Sequence, residues 1–308
     1  MVRPDPIAVS RRGWIGNVCR MGQMAGLTLA AWQSGCAIDL DSDHTGPNAP
    51  SVGPLRTTPR VAWVLGSGGP RGFVHVGVLK ALAELKFKPD LIVGASVGAL
   101  VGTLFAAGLR ANEIERLALE LQPALLLRWQ PGSTERFSGA GIASFVNSQV
   151  DGLSLQSLPI AMVCVVQRLR DGAVLGFNQG DTGLAVQAAA AIEGQFTPLR
   201  IRGERYADAD LRMPLPVRLA RSLGATRVLA VDTSAHEDRR PAGADRYAAG
   251  DLRKRALTRP DAESADLLVH PEFGYWAGVS TEYRQRVISA GYAATMAQAA
   301  ALKALHAN

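Results

Sequence analysis

The stretch LIVGASVGALVGTLFAAG, residues 91–108, decides how the rest of the chain is read. Its first half is continuously apolar, as a strand buried on both faces requires. Its second half is apolar at helical spacing and closes on Gly108, a residue suited to end a helix. Between them, Gly94-Ala95-Ser96-Val97-Gly98 sets one hydroxyl at the point where strand turns into helix. In a G-x-S-x-G corner the turn is sharp enough that bulky neighbours clash with the backbone, and Gly94 and Gly98 relieve that clash. The serine is lifted above the C-terminal edge of the sheet, where open α/β sheets put their ligands. The helix start favours an anion forming there. Ser96 also has a plainer reading, as an N-cap whose side-chain oxygen accepts a backbone N–H of the helix.

Upstream, RVAWVLGSGG (60–69) is a short apolar strand running into glycines, and VHVGVLKALAEL (74–85) follows with helical spacing. The loop Gly66-Ser67-Gly68-Gly69-Pro70-Arg71-Gly72 lets backbone N–H groups crowd toward a small anion or an oxyanion. A dinucleotide site would need G-x-G-x-x-G and an acidic residue about 20 positions on. Here the sixth place is Arg71 and the second strand ends in Gly-Ala-Ser, which argues against a nucleotide.

Downstream, NEIERLALEL (112–121) is an amphipathic helix, while IAMVCVVQRL (160–169) and GAVLGFN (172–178) form a strand pair around Asp171-Gly172. ATRVLAVDT (225–233) and DLLVHPE (266–272) are two further buried strands, and GYAATMAQAAALKAL (291–305) closes the chain as a packing helix. Apolar strands alternating with helices imply an α/β fold, a doubly wound and mostly parallel sheet with helices on both faces.

VLGSGGPRGFVHVGVLKAL followed by LIVGASVGALVG resembles the patatin-like phospholipases, in which a glycine-rich oxyanion loop precedes a G-x-S-x-G serine. The segment from Ala188 to Asp232, with ADADLRMPLPV in its middle, is similar to the family's second signature, where Asp-Gly-Gly or Asp-Gly-Ala leads into a Pro-Val element. The resemblance implies Ser96 as nucleophile, Asp208 as the dyad base, Gly68 and Gly69 as oxyanion donors, and Gly66, Arg71, Gly72, Gly94 and Gly98 as supporting motif. It implies a lipid acyl hydrolase of phospholipase A or lysophospholipase type, with a lipid ester as substrate and no cofactor. The same site allows acyl transfer, and a lipid-binding pseudoenzyme is the reading from outside enzymology. Ala209-Asp210, Ser67, Pro70 and Glu193 depart from the family pattern; Asp210 brings a second carboxylate that either raises the Asp208 pKa by like-charge repulsion or competes for its role. A Ser-His-Asp triad remains as the rival, through His236 or His270, whereas His75 reads as a packing residue. LLLRW (125–129) and FGYWAG (273–278) suit an acyl groove, a membrane surface or the core equally.

The 33 Lys and Arg against 27 Asp and Glu give a formal charge of +6, but Arg3, Arg11, Arg12 and Arg20, opposed only by Asp5, lie before Cys36. The remaining surplus is three charges with no basic cluster, so no nucleic acid partner is expected. Cys19, Cys36 and Cys164 lack metal-ligand spacing, so no metal is expected, and Cys164 reads as a buried thiol. Residues 1–36 have a basic start, a mildly apolar middle and a small-residue end, the layout of an export signal. Ser10-Arg11-Arg12-Gly13-Trp14-Ile15 resembles a twin-arginine signal and Gly35-Cys36 the end of a bacterial lipobox, with Gln33 at a usually aliphatic place. That resemblance implies Cys36 as a lipid anchor and a lipoprotein at the periplasmic face of the outer membrane; a periplasmic or peripheral protein is the alternative. Residues 37–60 read as a flexible linker and 61–308 as the hydrolase domain.

Overall fold

A computed structural model describes residues 42–130 and 135–307. The export segment and Cys36 lie outside the described residues. In chain order the elements are β1 (Val61–Leu65), α1 (Phe73–Glu84), β2 (Leu91–Ala95), α2 (Val97–Ala106), α3 (Ala111–Glu120), β3 (Arg128–Trp129), β4 (Phe137–Ser138), α4 (Ala140–Gln149), β5 (Ala161–Arg168) and β6 (Val174–Phe177). They continue with α5 (Thr182–Ala189), β7 (Leu199–Ile201), β8 (Glu204–Asp208), α6 (Val217–Ser222), β9 (Arg227–Val231), α7 (Ala248–Glu263), β10 (Leu267–Val269), α8 (Thr281–Met296) and α9 (Ala299–His306).

The main sheet has the order β10-β9-β1-β2-β5-β8-β7, with β6 paired to β5. Its five strands from β10 to β5 run parallel, and β5–β8, β8–β7 and β5–β6 are antiparallel, so the sheet is doubly wound and mostly parallel as the sequence implies. Alternation along β1 fills two layers. Val61, Trp63 and Leu65 join a core with α1, α2 and α8, while Ala62 and Val64 face Leu215, Val217 and Ala220 on the other side. Each of these strands is buried on both faces, which is why it reads as a continuous apolar run. Gly108 takes φ +97 just past α2, as a left-handed helix stop does. Cys164 is wholly buried beside Thr103, and burial pushes its thiol up to about 12.

Two expectations change, and one hairpin is added. Residues 42–60 are not a flexible linker: His44 N donates to Arg200 O at 2.9 Å, Ser51 pairs with Gln179, and Asn178 both donates to Gly53 O and accepts from Gly53 N at 2.8 and 2.7 Å. A Pro- and Gly-rich segment without periodicity can still be anchored when neighbouring backbone and one side chain, that of Asn178, satisfy its own backbone groups. The chain from 199 to 208 forms a hairpin that periodicity does not announce, turning through Arg202 and Gly203 at φ +48 and +81. The closing helix is two helices, because a break at Ala297-Gln298 lets α9 set His306 against Trp63 Nε1 at 3.1 Å and stack it on Phe87. Asn178→Ala removes both bonds to Gly53, and the expected cost is about 1–3 kcal/mol. Limited proteolysis should then cut the variant between residues 51 and 57 well before wild type; equal cleavage rates would mean that other contacts hold the segment.

Candidate active site

β1 and β2 are adjacent and parallel, with Leu65 opposite Gly94, so the loops leaving their C-terminal ends must share one space. Ser96 leaves β2 at φ 54, ψ −125, a conformation that non-glycine residues adopt only when their surroundings enforce it. A Cβ on Gly98 would overlap the Leu65 carbonyl oxygen, and one on Gly94 would stand 2.5 Å from Gly98 O and 2.6 Å from Ala99 Cα. The two glycines are thus required by close backbone approach. Ser96 occupies the N-cap position of α2, yet its side chain makes no capping bond. The plainer reading of this serine therefore fails, and its hydroxyl is available to the cavity.

The glycine loop is held from several sides. Gly66 N donates to Val231 O at 3.0 Å, Ser67 N to Pro214 O at 2.8 Å, and Thr233 Oγ1 to Ser67 O at 2.8 Å. His75 is fully buried on α1 and its Nε2 bonds Gly66 O at 2.8 Å; the carbonyl only accepts, so Nε2 carries the proton. Burial lowers the His75 pKa to about 4, which keeps the ring neutral, and the packing reading of His75 acquires a specific object. Gly69 turns at φ +54, and a Cβ on Gly72 would overlap the Val97 side chain, which puts the loop directly against the start of α2. Arg71 Nη2 donates to Tyr275 O at 2.6 Å.

Asp208 ends β8 with 3% of its surface exposed. Its Oδ1 accepts from Asp210 N at 2.9 Å; its Oδ2 is buried without a partner of full hydrogen-bond geometry. Burial raises its pKa to about 7; the Ser96 hydroxyl, as a donor, opposes that rise, and the Asp210 charge adds to it. The Ser96 hydroxyl is near enough to lower the Asp208 pKa, without the alignment of a full hydrogen bond.

Ser96, Asp208, Gly68, Gly69 and Arg71 line one polar cavity of about 280 Å³ together with Asp210 and Lys254. A second cavity, about 230 Å³, is almost entirely apolar and is walled by Leu100, Leu104, Ile114, Leu117, Leu126 and Phe145. Ser96, Gly69 and Ile192 line both. Of LLLRW, Leu126 faces the apolar cavity while Leu125 and Trp129 are exposed; of FGYWAG, Tyr275 is buried and Trp276 exposed. His236 and His270 line neither cavity. Their rings stack at 3.8 Å, and each Nε2 meets a backbone carbonyl, of Pro271 and Ser234.

Several residues of the polar cavity are not singled out by the sequence, Thr233 and Lys254 among them. Thr233 lies two residues past the apolar strand β9 and so is legible as a sheet-edge position; Lys254 sits on the mixed-charge helix α7, where nothing in the spacing distinguishes it.

A strained serine between strand and helix, a glycine loop beside it and a buried carboxyl across the cavity define an α/β protein with a glycine-flanked serine corner at the edge of its sheet. Residues 63–221, just over half of the chain, match the family model for patatin-like phospholipase, and the chain belongs to that family. It is 34% identical over 187 residues to an uncharacterised NTE family protein of Mycobacterium tuberculosis, covering 59% of this chain and 51% of that one. It is 29% identical over 188 residues to patatin-like phospholipase domain-containing protein 6 of Homo sapiens, covering 58% of this chain and 14% of that protein. The chain thus spans about half the length of the mycobacterial relative. Its fold is similar to the crystal structure of VipD from Legionella pneumophila, with a TM-score of 0.52 at 13% identity over 82% of this chain and 70% of that one.

Burial holds the Asp208 proton in the folded state from the ordinary 3.8 up to about 7, so this group's contribution to stability is present at low pH and lost as pH rises through that window. Asp208→Asn has no such loss. Its stability relative to wild type should therefore grow between about pH 4 and pH 8, by an amount on the order of a few kcal/mol at ~1.4 kcal/mol per pKa unit. Urea denaturation at the two pH values checks this; a pH-independent difference would mean that Asp208 titrates normally.

Proposed function

We propose that this chain is a serine acyl hydrolase of lipid esters, of phospholipase A or lysophospholipase type, working through Ser96 and Asp208. The observation that carries the proposal is that Ser96 lies where the polar and apolar cavities meet. An ester whose carbonyl reaches Ser96 would have an apolar chain on one side and a polar alcohol on the other, the division that a lipid ester has. The family membership and the word phospholipase in the names of relatives support the same reading.

In the proposed reaction Asp208 takes the Ser96 proton as the oxygen attacks the acyl carbon. The amides of Gly68 and Gly69 stabilise the oxyanion, the C–O bond to the alcohol breaks, and the alcohol leaves with the proton from Asp208. Water then attacks the acyl-enzyme with Asp208 again as base, releasing the fatty acid and restoring Ser96. A base near neutrality matches what general-base catalysis requires, and the burial of Asp208 supports that assignment. The bonding of both His236 and His270 to backbone carbonyls speaks against the triad.

Wild type should react with a fluorophosphonate probe and hydrolyse a medium-chain ester, Ser96→Ala should do neither, and Asp208→Asn should lose roughly 10²–10⁴ in kcat. His236→Ala and His270→Ala should keep turnover; its collapse in either, with the fold intact, would refute the dyad. For the front of the chain, the proposal is that Cys36 is a lipid anchor at the periplasmic side of the outer membrane. Radioactive fatty acid should label wild type and not Cys36→Ala, and equal labelling of the two would sink that assignment.

A further inference from the structure

Asp210 is where this chain carries a carboxylate two residues beyond the buried Asp208, and its side chain is not idle. Oδ1 of Asp210 accepts from both the Ser67 hydroxyl and Lys254 Nζ, and Lys254 Nζ also donates to Ser67 Oγ at 2.7 Å. The three groups close a ring between three separate pieces of chain: the glycine loop, the loop after β8, and α7. Ser67 is fully engaged, since its amide goes to Pro214 O, its carbonyl receives Thr233 Oγ1, and its hydroxyl both accepts from Lys254 and donates to Asp210. Asp210 in turn presents its own N–H to Asp208 Oδ1 at 2.9 Å. A single short path of hydrogen bonds therefore connects Lys254 to the carboxyl that faces Ser96.

We propose that Lys254, Asp210 and Ser67 are positioning residues that clamp the glycine loop to the Asp208 loop, with Lys254 supplying the positive charge that lets Asp208 ionise beside a second carboxylate. The proposal rests on Ser96 and Asp208 being the reacting pair. Ser67 is 2% exposed, and Lys254 and Asp210 keep about a fifth and a third of their side-chain surface, so the pair is shielded enough for its charges to reach Asp208. Without Lys254, the Asp210 charge would stand next to Asp208 unopposed, and two carboxylates sharing a site hold their protons longer. Asp210 and Lys254 act on Asp208 with opposite sign, Asp210 raising its pKa and Lys254 lowering it. The other charged groups on the cavity wall are Arg71 from the glycine loop and Asp251 and Arg255 from α7. Arg71 is engaged by the Tyr275 carbonyl and Asp251 by the Tyr275 hydroxyl at 2.6 Å, while Lys254 is bonded to Asp210, whose own N–H meets Asp208.

The clamp predicts shifts of opposite direction. Lys254→Met should move the acid limb of kcat/KM to higher pH by roughly one unit, and Asp210→Asn, which keeps the backbone N–H to Asp208, should move it to lower pH. The double variant should fall between the two. A purely structural role would lower activity in all three without opposed shifts. Each variant is also paired with the same variant carrying Asp208→Asn, and the pH dependence of the stability difference within each pair reads the Asp208 proton without any turnover. If wild type hydrolyses nothing, the proposed reaction fails while this second measurement still judges the clamp. Limbs or stability curves that move the same way in Lys254→Met and Asp210→Asn would overturn the proposal, and if Lys254→Met does not fold, an unmoved curve for Asp210→Asn would do so alone.

Discussion

Three backbone segments meet at the C-terminal ends of β1 and β2 with almost no side chain between them. The start of α2 comes so close to the end of β1 that Gly98 has room for no Cβ beside the Leu65 carbonyl, and the glycine loop comes so close to α2 that Gly72 has none beside Val97. The parallel register that sets Leu65 opposite Gly94 makes this convergence unavoidable. Everything else at the site follows from it. The strained serine, the amides of Gly68 and Gly69 and the positive end of α2 occupy one small volume because glycines at 72 and 98 let the chains that carry them approach this closely.

Against that rigid backbone stands a carboxyl in an unfavourable place. Asp208 is buried, one of its oxygens is satisfied only by an amide two residues along its own chain, and the other has no aligned partner. Such a group costs stability when ionised, and its raised pKa is the visible form of that cost. Sites that run chemistry at neutral pH commonly concentrate this kind of tension, and the surrounding core of β5, β8 and α5 is what sustains it here.

The two cavities divide the surroundings of Ser96 by polarity. Helices α2, α3 and α4 supply the apolar wall with leucine, isoleucine and phenylalanine, while the glycine loop, the Asp208 loop and α7 supply the polar wall. The polar wall draws on chain beyond residues 63–221, since Thr233, Asp251 and Lys254 all come after the matched region.

The sequence by itself determined the parallel strands, the elbow and the glycine loop. Those features are written in short stretches: both-face burial demands an unbroken apolar run, and close backbone approach demands glycine at fixed offsets from Ser96. The strand pair around Asp171-Gly172 was legible for the same local reason. Only the tertiary structure decided which of two nearby carboxylates is buried. Asp208 and Asp210 are the same residue type two positions apart, and the difference between them comes from Asp208 being held in the sheet against Val166 of β5 with its amide on Ala191 O, while Lys254 and Ser67 hold Asp210. Residues 42–60, the hairpin at 199–208 and the stacked His236 and His270 were hidden in the same way. The partners of 42–60 and of the two histidines lie tens to more than a hundred positions away, a range about which a periodicity of two or of 3.6 residues carries no information, and the hairpin strands, three and five residues long, are too short for periodicity to show.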